Sequence, residues 1–144
     1  MPGNALTKEV LLRLSTVVAA VLLALIVPGV AEASPGGACF QGRVCLYAGF
    51  AFNRSQVDLW RDFVHDDTNL ADDTWLKWDY TDSWHTMDNA TSSARNRLGC
   101  PVTLWQNPHF TGAHSTLDHA TGDGFLANNA IGNNRVSSLD IWCR

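Results

Sequence analysis

Beyond residue 33 the sequence has no glutamate, a single lysine (Lys77) and no apolar run long enough to cross a membrane. Its charge there comes from eight lysine and arginine residues against twelve aspartates, a net of −4. No basic stripe exists to neutralise phosphates, which excludes nucleic acid as a partner on electrostatic grounds. Mild acidity of this kind serves solubility, and acidic loops can also attract cations or a basic protein surface. The close cysteine pairs of a zinc site are missing. So are the G-x-S-x-G elbow and the H-E-x-x-H helix of two hydrolase classes. His109, His114 and His119 recur every five residues. On a strand that spacing alternates faces, so local geometry does not make them converge. No arrangement gives Ser, His and Asp catalytic roles. The expectation is a binding module, not an enzyme, with no catalytic residue.

The first 33 residues carry a different message. Lys8 and Arg13 precede the uncharged run Leu14 to Val27, which ends at Pro28. Ala31 and Ala33 then flank Glu32 in the pattern read by signal peptidase. The run is shorter than the roughly 18 residues of a comfortable span. Residues 1–33 are therefore expected to be a secretory signal, with the exported chain starting at Ser34 and no membrane association after cleavage. The remaining 111 residues make one domain, long enough to bury a core, and expected to be a monomer. All four cysteines, Cys39, Cys45, Cys100 and Cys143, fall in that domain. An even count in a small exported chain reads as disulfides, with three connectivities open.

The two halves of the exported domain resemble each other. The first reads VCLYAGFAFNRSQVDLW and later MDNATSSARNRL; the second reads VTLWQNPHFTGAHSTLD and later IGNNRVSSLDIW. Each opens with a β-prone run ending in an aromatic, Tyr47 or Trp105, and has a second aromatic five residues on, Phe52 or Phe110. Each closes on a six-residue signature, Asp88-Asn89-x-x-Ser92-Ser93 or Asn133-Asn134-x-x-Ser137-Ser138. Such a repeat is two copies of one supersecondary unit packed together. Alternation in 102–105 and 139–142 fits half-buried strands, and clusters of Asn, Asp, Gly and Ser supply turns. Helical periodicity is weak. The fold class expected is all-β, two antiparallel Greek keys forming a sandwich. The first key spans about 44–98 and the second about 100–143.

The string Trp105-x4-Phe110-x-Gly112 resembles the folded-hairpin motif of βγ-crystallins, and the two signatures resemble that superfamily's calcium motif. The glycine has a physical reason, since the hairpin bends into a backbone conformation that side chains resist. In the first half Arg54 stands at that position, so this hairpin is either strained or bent differently. Within the superfamily, the Cys39-x5-Cys45 pair and the strings VCLY and NNRVSSL are similar to a secreted bacterial peptidase-inhibitor family, that of the Streptomyces metalloproteinase inhibitors. The resemblance implies a βγ-crystallin-like fold and inhibition of an extracellular protease. It also implies a pairing, because first and last strands of a crystallin-type key lie side by side: Cys100 with Cys143, leaving Cys39 for Cys45. It implies Ca2+ as the ion, held by Asp88, Asn89 and Ser92 and by Asn133, Asn134 and Ser137, with each site borrowing a serine from the opposite key. Calcium takes six to eight oxygen ligands, which these residues can offer. The same residues also make Asx and Ser turns without any ion. Asp88 is the one carboxylate in either signature, so the site lacking it should bind more weakly.

The first half runs 41 residues from Tyr47 to Asp88, against 28 from Trp105 to Asn133. The added stretch, placed at 62–82, holds seven aspartates with Phe63, Trp75, Trp78 and Tyr80, flanked by Trp60 and Trp84. It reads as an acidic loop pinned by tryptophans, or as a recognition loop in which Trp75, Lys77, Trp78 and Tyr80 contact a protease. Three function classes follow: a protease inhibitor, a calcium-stabilised extracellular module without inhibitory activity, and a carbohydrate-binding module supported by tryptophan richness alone.

Overall fold

A computed structural model of the chain describes residues 39–54 and 59–143. The expected signal peptide and the start at Ser34 lie outside the described residues. Among the described residues nine strands run in the order β1 (Val44–Tyr47), β2 (Trp60–Phe63), β3 (Thr74–Leu76), β4 (Asp82–Thr86), β5 (Ser93–Asn96), β6 (Val102–Asn107), β7 (Thr111–Leu117), β8 (Gly122–Asp123) and β9 (Ser138–Ile141). They form a six-stranded sheet, β4-β3-β2-β1-β5-β8, and a three-stranded sheet, β7-β6-β9, with every pairing antiparallel. Among the described residues no helix is long and apolar enough to cross a membrane.

Each half lends a short piece to the other half's sheet. β8, from the second half, pairs with β5, and Asp67, from the first, bridges to Leu139 of β9. The exchange is symmetric in detail. Leu70 N donates to Ser137 O at 2.9 Å, and Leu126 N donates to Ser92 O at 3.1 Å. The strings Asp67-x-x-Leu70 and Asp123-x-x-Leu126 are therefore equivalent, and both leucines are fully buried. Between the sheets, Val44, Leu46 and Ala94 face Val102, Leu104 and Leu139, with Leu70, Leu126, Ile131, Val136, Met87 and Trp75 completing the core. Burying each large apolar side chain contributes roughly 1.5–3 kcal/mol.

All four residues of β1 are buried, not alternate ones. Its outer face carries a second cluster, in which Cys39 covers Cys45, Tyr47 and Trp60. The covering segment is held by the Cys39–Cys45 disulfide, by Arg97 Nη1 donating to Cys39 O at 2.7 Å, and by Gly42 N donating to Arg97 O at 2.9 Å. The second disulfide joins Cys100 to Cys143. β6 and β9 pair Val102 with Ile141, and two more residues along that register put these cysteines opposite each other. Both bridges are the pairs implied by the strand order of a crystallin-type key.

The added residues lie later than expected. Asp62 and Phe63 belong to β2, a strand of the first key proper. Twenty-one residues separate Asp67 from Asp88, against ten between the equivalent Asp123 and Asn133. Most of the added length is thus spent on the β3–β4 hairpin, Thr74 to Thr86, which extends the six-stranded sheet past β2. Strand alternation places Trp75 inward, where it fills the core, and this corrects the expectation that Trp75 would contact a protease: it is 1% exposed.

Candidate functional site

The two signatures meet across the boundary between the keys. Asn89 and Asn134 both take left-handed backbone, φ 53 and 52, which asparagine tolerates better than most residues. That twist turns each amide toward the opposite signature: Asn89 N donates to Val136 O at 3.0 Å, and Asn134 N to Thr91 O at 2.9 Å. The side chains repeat the exchange. Ser92 Oγ donates to Asn134 Oδ1 at 3.1 Å, and Ser137 Oγ to Asn89 Oδ1 at 3.5 Å. Asn89 and Ser137 are therefore brought together at one end, and Asn134 and Ser92 at the other.

The first residue of each signature is different. Asp88 Oδ1 and Asn133 Oδ1 are both buried and have no hydrogen-bond partner among the described residues. Asp88 accepts a bond only on its other oxygen, from Asn89 Nδ2 at 2.8 Å. A buried acceptor without a donor is costly, on the order of 1–3 kcal/mol. Finding the same orphan at both equivalent positions argues for a shared cause. A cation would satisfy both, and the donors present are all oxygens, the set that calcium prefers.

The last serine of each signature latches its own folded hairpin. Ser93 Oγ donates to Gly49 O at 2.6 Å and accepts from Phe52 N at 3.0 Å. Ser138 Oγ donates to Asn107 O at 2.7 Å and accepts from Phe110 N at 3.2 Å. In the second half the bend is left-handed at His109 and Phe110 and again at Gly112, φ 85. A Cβ on Gly112 would lie 2.7 Å from Asn107 Nδ2. In the first half Ala51 and Phe52 repeat the left-handed pair, but Arg54 has φ −61 and Asn53 takes φ 65 instead. Asn53 is nearly fully buried; its Oδ1 accepts from Gly49 N and its Nδ2 donates to Leu59 O, each at 2.8 Å. The first hairpin is bent differently, one residue early, around an asparagine.

The β3–β4 hairpin is a built feature. Lys77 N donates to Thr81 O and Tyr80 N to Lys77 O, closing its turn. Asp79 Oδ1 accepts from Thr81 Oγ1 and N, and these bonds hold the Asp79 carboxyl below its usual range. Asp82 Oδ1 accepts from Trp84 N at 2.7 Å and its Oδ2 from Thr74 Oγ1 at 2.9 Å, which lowers its carboxyl likewise. Two of the aspartates read as surface acidity are therefore turn-builders. Trp60, buried beneath, donates its Nε1 to Lys77 O at 3.2 Å and packs edge-on to Tyr80. On this frame Lys77 is exposed, and Trp78, Tyr80 and Trp84 are 66%, 54% and 86% exposed. Trp84 was not among the expected contact residues. Its signal was the Asp82-x-Trp84 spacing of an Asx turn.

Asp67, Asp72 and Asp73 place carboxylate oxygens within 4.8 Å of one another. The Asp73 carboxyl is raised to about 6 by burial first and by its hydrogen bond with Asp67, while Arg61, 3.1 Å away, pulls it down. His109, His114 and His119 are all exposed and none joins this group.

A family model described as peptidase inhibitor family I36 matches residues 32–117. Among solved structures, the chain is similar to one described as "Evolution of the eye lens beta-gamma-crystallin domain fold", with 18% identity and a TM-score of 0.56 over 75% of this chain and 92% of that one. It is also similar to a beta gamma crystallin from Ciona intestinalis, with 13% identity and a TM-score of 0.51 over 69% of this chain and 99% of that one. At these identities the likeness concerns the fold alone. No curated protein sequence matches the chain.

Proposed function

The chain belongs to peptidase inhibitor family I36 on a βγ-crystallin fold, and from that membership we propose that it is a secreted inhibitor of an extracellular metalloprotease. The observation that carries this reading is the family match, which spans the whole β3–β4 hairpin. The hairpin supports it physically. Exposed tryptophan and tyrosine on a fixed frame are the residues that dominate binding energy at interfaces. A turn already closed by its own hydrogen bonds loses little entropy on binding. The contact residues proposed are Lys77, Trp78, Tyr80 and Trp84. Trp84 has left-handed backbone, φ 63, so β4 does not offer a protease the uniformly extended strand of a substrate. The hairpin acts as an aromatic platform.

A second reading concerns calcium and rests on the orphan oxygens of Asp88 and Asn133. Asp88, Asn89, Ser92, Asn133, Asn134 and Ser137 are proposed to hold Ca2+ at two related sites between the keys. The ion would supply charge and coordination; the chain supplies oxygens from both halves and so links them.

Titration of residues 34–144 against secreted metalloproteases and serine proteases tests the inhibitor. A stoichiometric loss of metalloprotease activity is expected, weakened about tenfold or more by Trp84→Ala. Inhibition untouched by Trp78→Ala and Trp84→Ala would move the contact surface elsewhere. No inhibition at micromolar protein would leave the calcium module as the function.

A further inference from the structure

At the opposite edge of the six-stranded sheet from β4, a cleft of about 430 Å³ opens between β5, β8 and the segment at Gln41. Among the described residues two arginines line it, Arg95 and Arg97, and no acidic residue does. That is notable in a domain whose net charge is negative. Arg97 is fixed from behind, its Nη1 donating to Cys39 O and its Nη2 reaching Gln41 Oε1 at 3.4 Å. Arg95 is the unusual one. It is half-buried, and its guanidinium lies over the Phe52 ring, 4.0 Å from the centroid. Among the described residues its side chain has no hydrogen-bond acceptor and no counter-ion.

A guanidinium carries five donors in a rigid plane, and a planar fork of this kind matches the oxygens of a carboxylate or phosphate. Partial burial strips water from those donors without replacing it, so an anion arriving in the cleft gains more there than at an exposed arginine. The Phe52 ring holds one face of the guanidinium and leaves its edge free. Gly122 keeps the wall open: a Cβ there would sit 3.1 Å from Ala94 O and 3.3 Å from the Phe52 ring. The Asn96 amide does not compete, because its Nδ2 is spent on Cys100 O, Leu117 O and Asp118 O.

We propose that this cleft is an oxyanion-binding site, in which Arg95 and Arg97 together grip a carboxylate or phosphate group, Arg95 by its fork. The site lies apart from the aromatic hairpin and does not depend on the inhibitor reading.

The test is a titration of the 15N-labelled secreted protein with sodium phosphate or sodium acetate, at ionic strength held constant with sodium chloride. The arginine Nε–Hε resonances report it. The Arg95 resonance should shift saturably, and that of Arg135, which does not line the cleft and lies beside Gln106 of β6, should not. Saturation by acetate alone assigns a carboxylate ligand, and by phosphate alone a phosphate ester. Arg95→Lys, which keeps the charge but loses the fork, should weaken binding about tenfold. Arg95→Gln should abolish the saturable response at Arg97. A linear drift shared with Arg135, or an Arg97 response unchanged in Arg95→Gln, would overturn the proposal. If Arg95→Gln does not fold, the wild-type saturation and the Arg95→Lys shift decide it.

Discussion

Asn53 and Gly112 solve one steric problem in two ways. Both hairpins need a left-handed residue just after the second aromatic, and L side chains resist that conformation. Glycine meets the need by having no Cβ. Asn53 meets it by bonding its own turn at both ends of its amide. Asn53→Ala should therefore cost about 2 kcal/mol, since it leaves Gly49 N without an acceptor and Leu59 O with only its bond from Ala48 N. Arg54→Gly should give no gain, because φ −61 at that position suits any residue. Urea unfolding of both variants checks this. The tryptophans divide equally sharply. Trp75→Ala empties a core position and should cost about 3–5 kcal/mol, while Trp84→Ala, on an 86% exposed side chain, should stay within about 0.5 kcal/mol. Asp73 adds a pH dependence. Its folded carboxyl titrates near 6, above the ordinary value of 3.8. Between those values the folded state binds the extra proton, so this group makes stability fall as pH rises from about 4 to about 6. Asp73→Asn should flatten that slope, read as melting temperature against pH. A slope unchanged by the substitution would show that Asp73 titrates normally.

At the scale of elements, the β3–β4 hairpin separates what the fold needs from what it displays. Ser83 and Trp75 face inward, Trp84 and the turn face out, and Trp60 joins the two layers. Asp82→Ala removes the acceptors of both Trp84 N and Thr74 Oγ1. The change should loosen the presentation of Trp84 and weaken inhibition, with little effect on global stability, because the hairpin sits at the sheet's edge. Parallel measurement of inhibition and of the urea midpoint distinguishes this from general destabilisation. The Asp79 and Asp82 carboxyls are depressed by the bonds they accept. Their contribution is present above their unfolded values and is lost as pH falls through the folded ones, so the hairpin should loosen only in strong acid.

For the whole molecule, the decisive feature is the exchange between keys. Asp67 and β8 each cross to the other half's sheet, so neither half completes its own sheet. Calcium held between the signatures would add to that coupling. Binding to the folded state alone should raise the melting temperature by mass action, about 2.7 kcal/mol of stability at a hundred times Kd. Asp88→Ala should reduce the rise more than Asn133→Ala, since it removes the one carboxylate. Calorimetry that finds no heat and no shift at millimolar calcium would leave the signatures as turns alone. The two bridges should differ in the same way as their loops. Removing Cys100–Cys143 should cost about 4 kcal/mol, and removing Cys39–Cys45 about 2 kcal/mol. The shorter bridge also holds down the segment over Tyr47 and Trp60, whose exposure tryptophan fluorescence would report.

Much of this was legible from the residues in order. The repeat, the all-β class, the aromatic spacing of the hairpins and the paired signatures are local patterns, and local patterns follow from backbone sterics and from which side chains bond their own turns. Other features became visible only when distant segments met. That Asp67 matches Asp123, and that the added residues begin after Asp67 and not at Asp62, depends on strands exchanged between sheets. That Trp75 is core and Trp84 is surface depends on which face of a hairpin meets the sandwich. The orphan oxygens at Asp88 and Asn133, and the guanidinium that stacks on Phe52 with no acceptor among the described residues, are properties of neighbours far apart in the chain. One dimension records which polar groups exist; only the packed molecule decides which of them find partners, because burial removes the water that would otherwise serve them all equally.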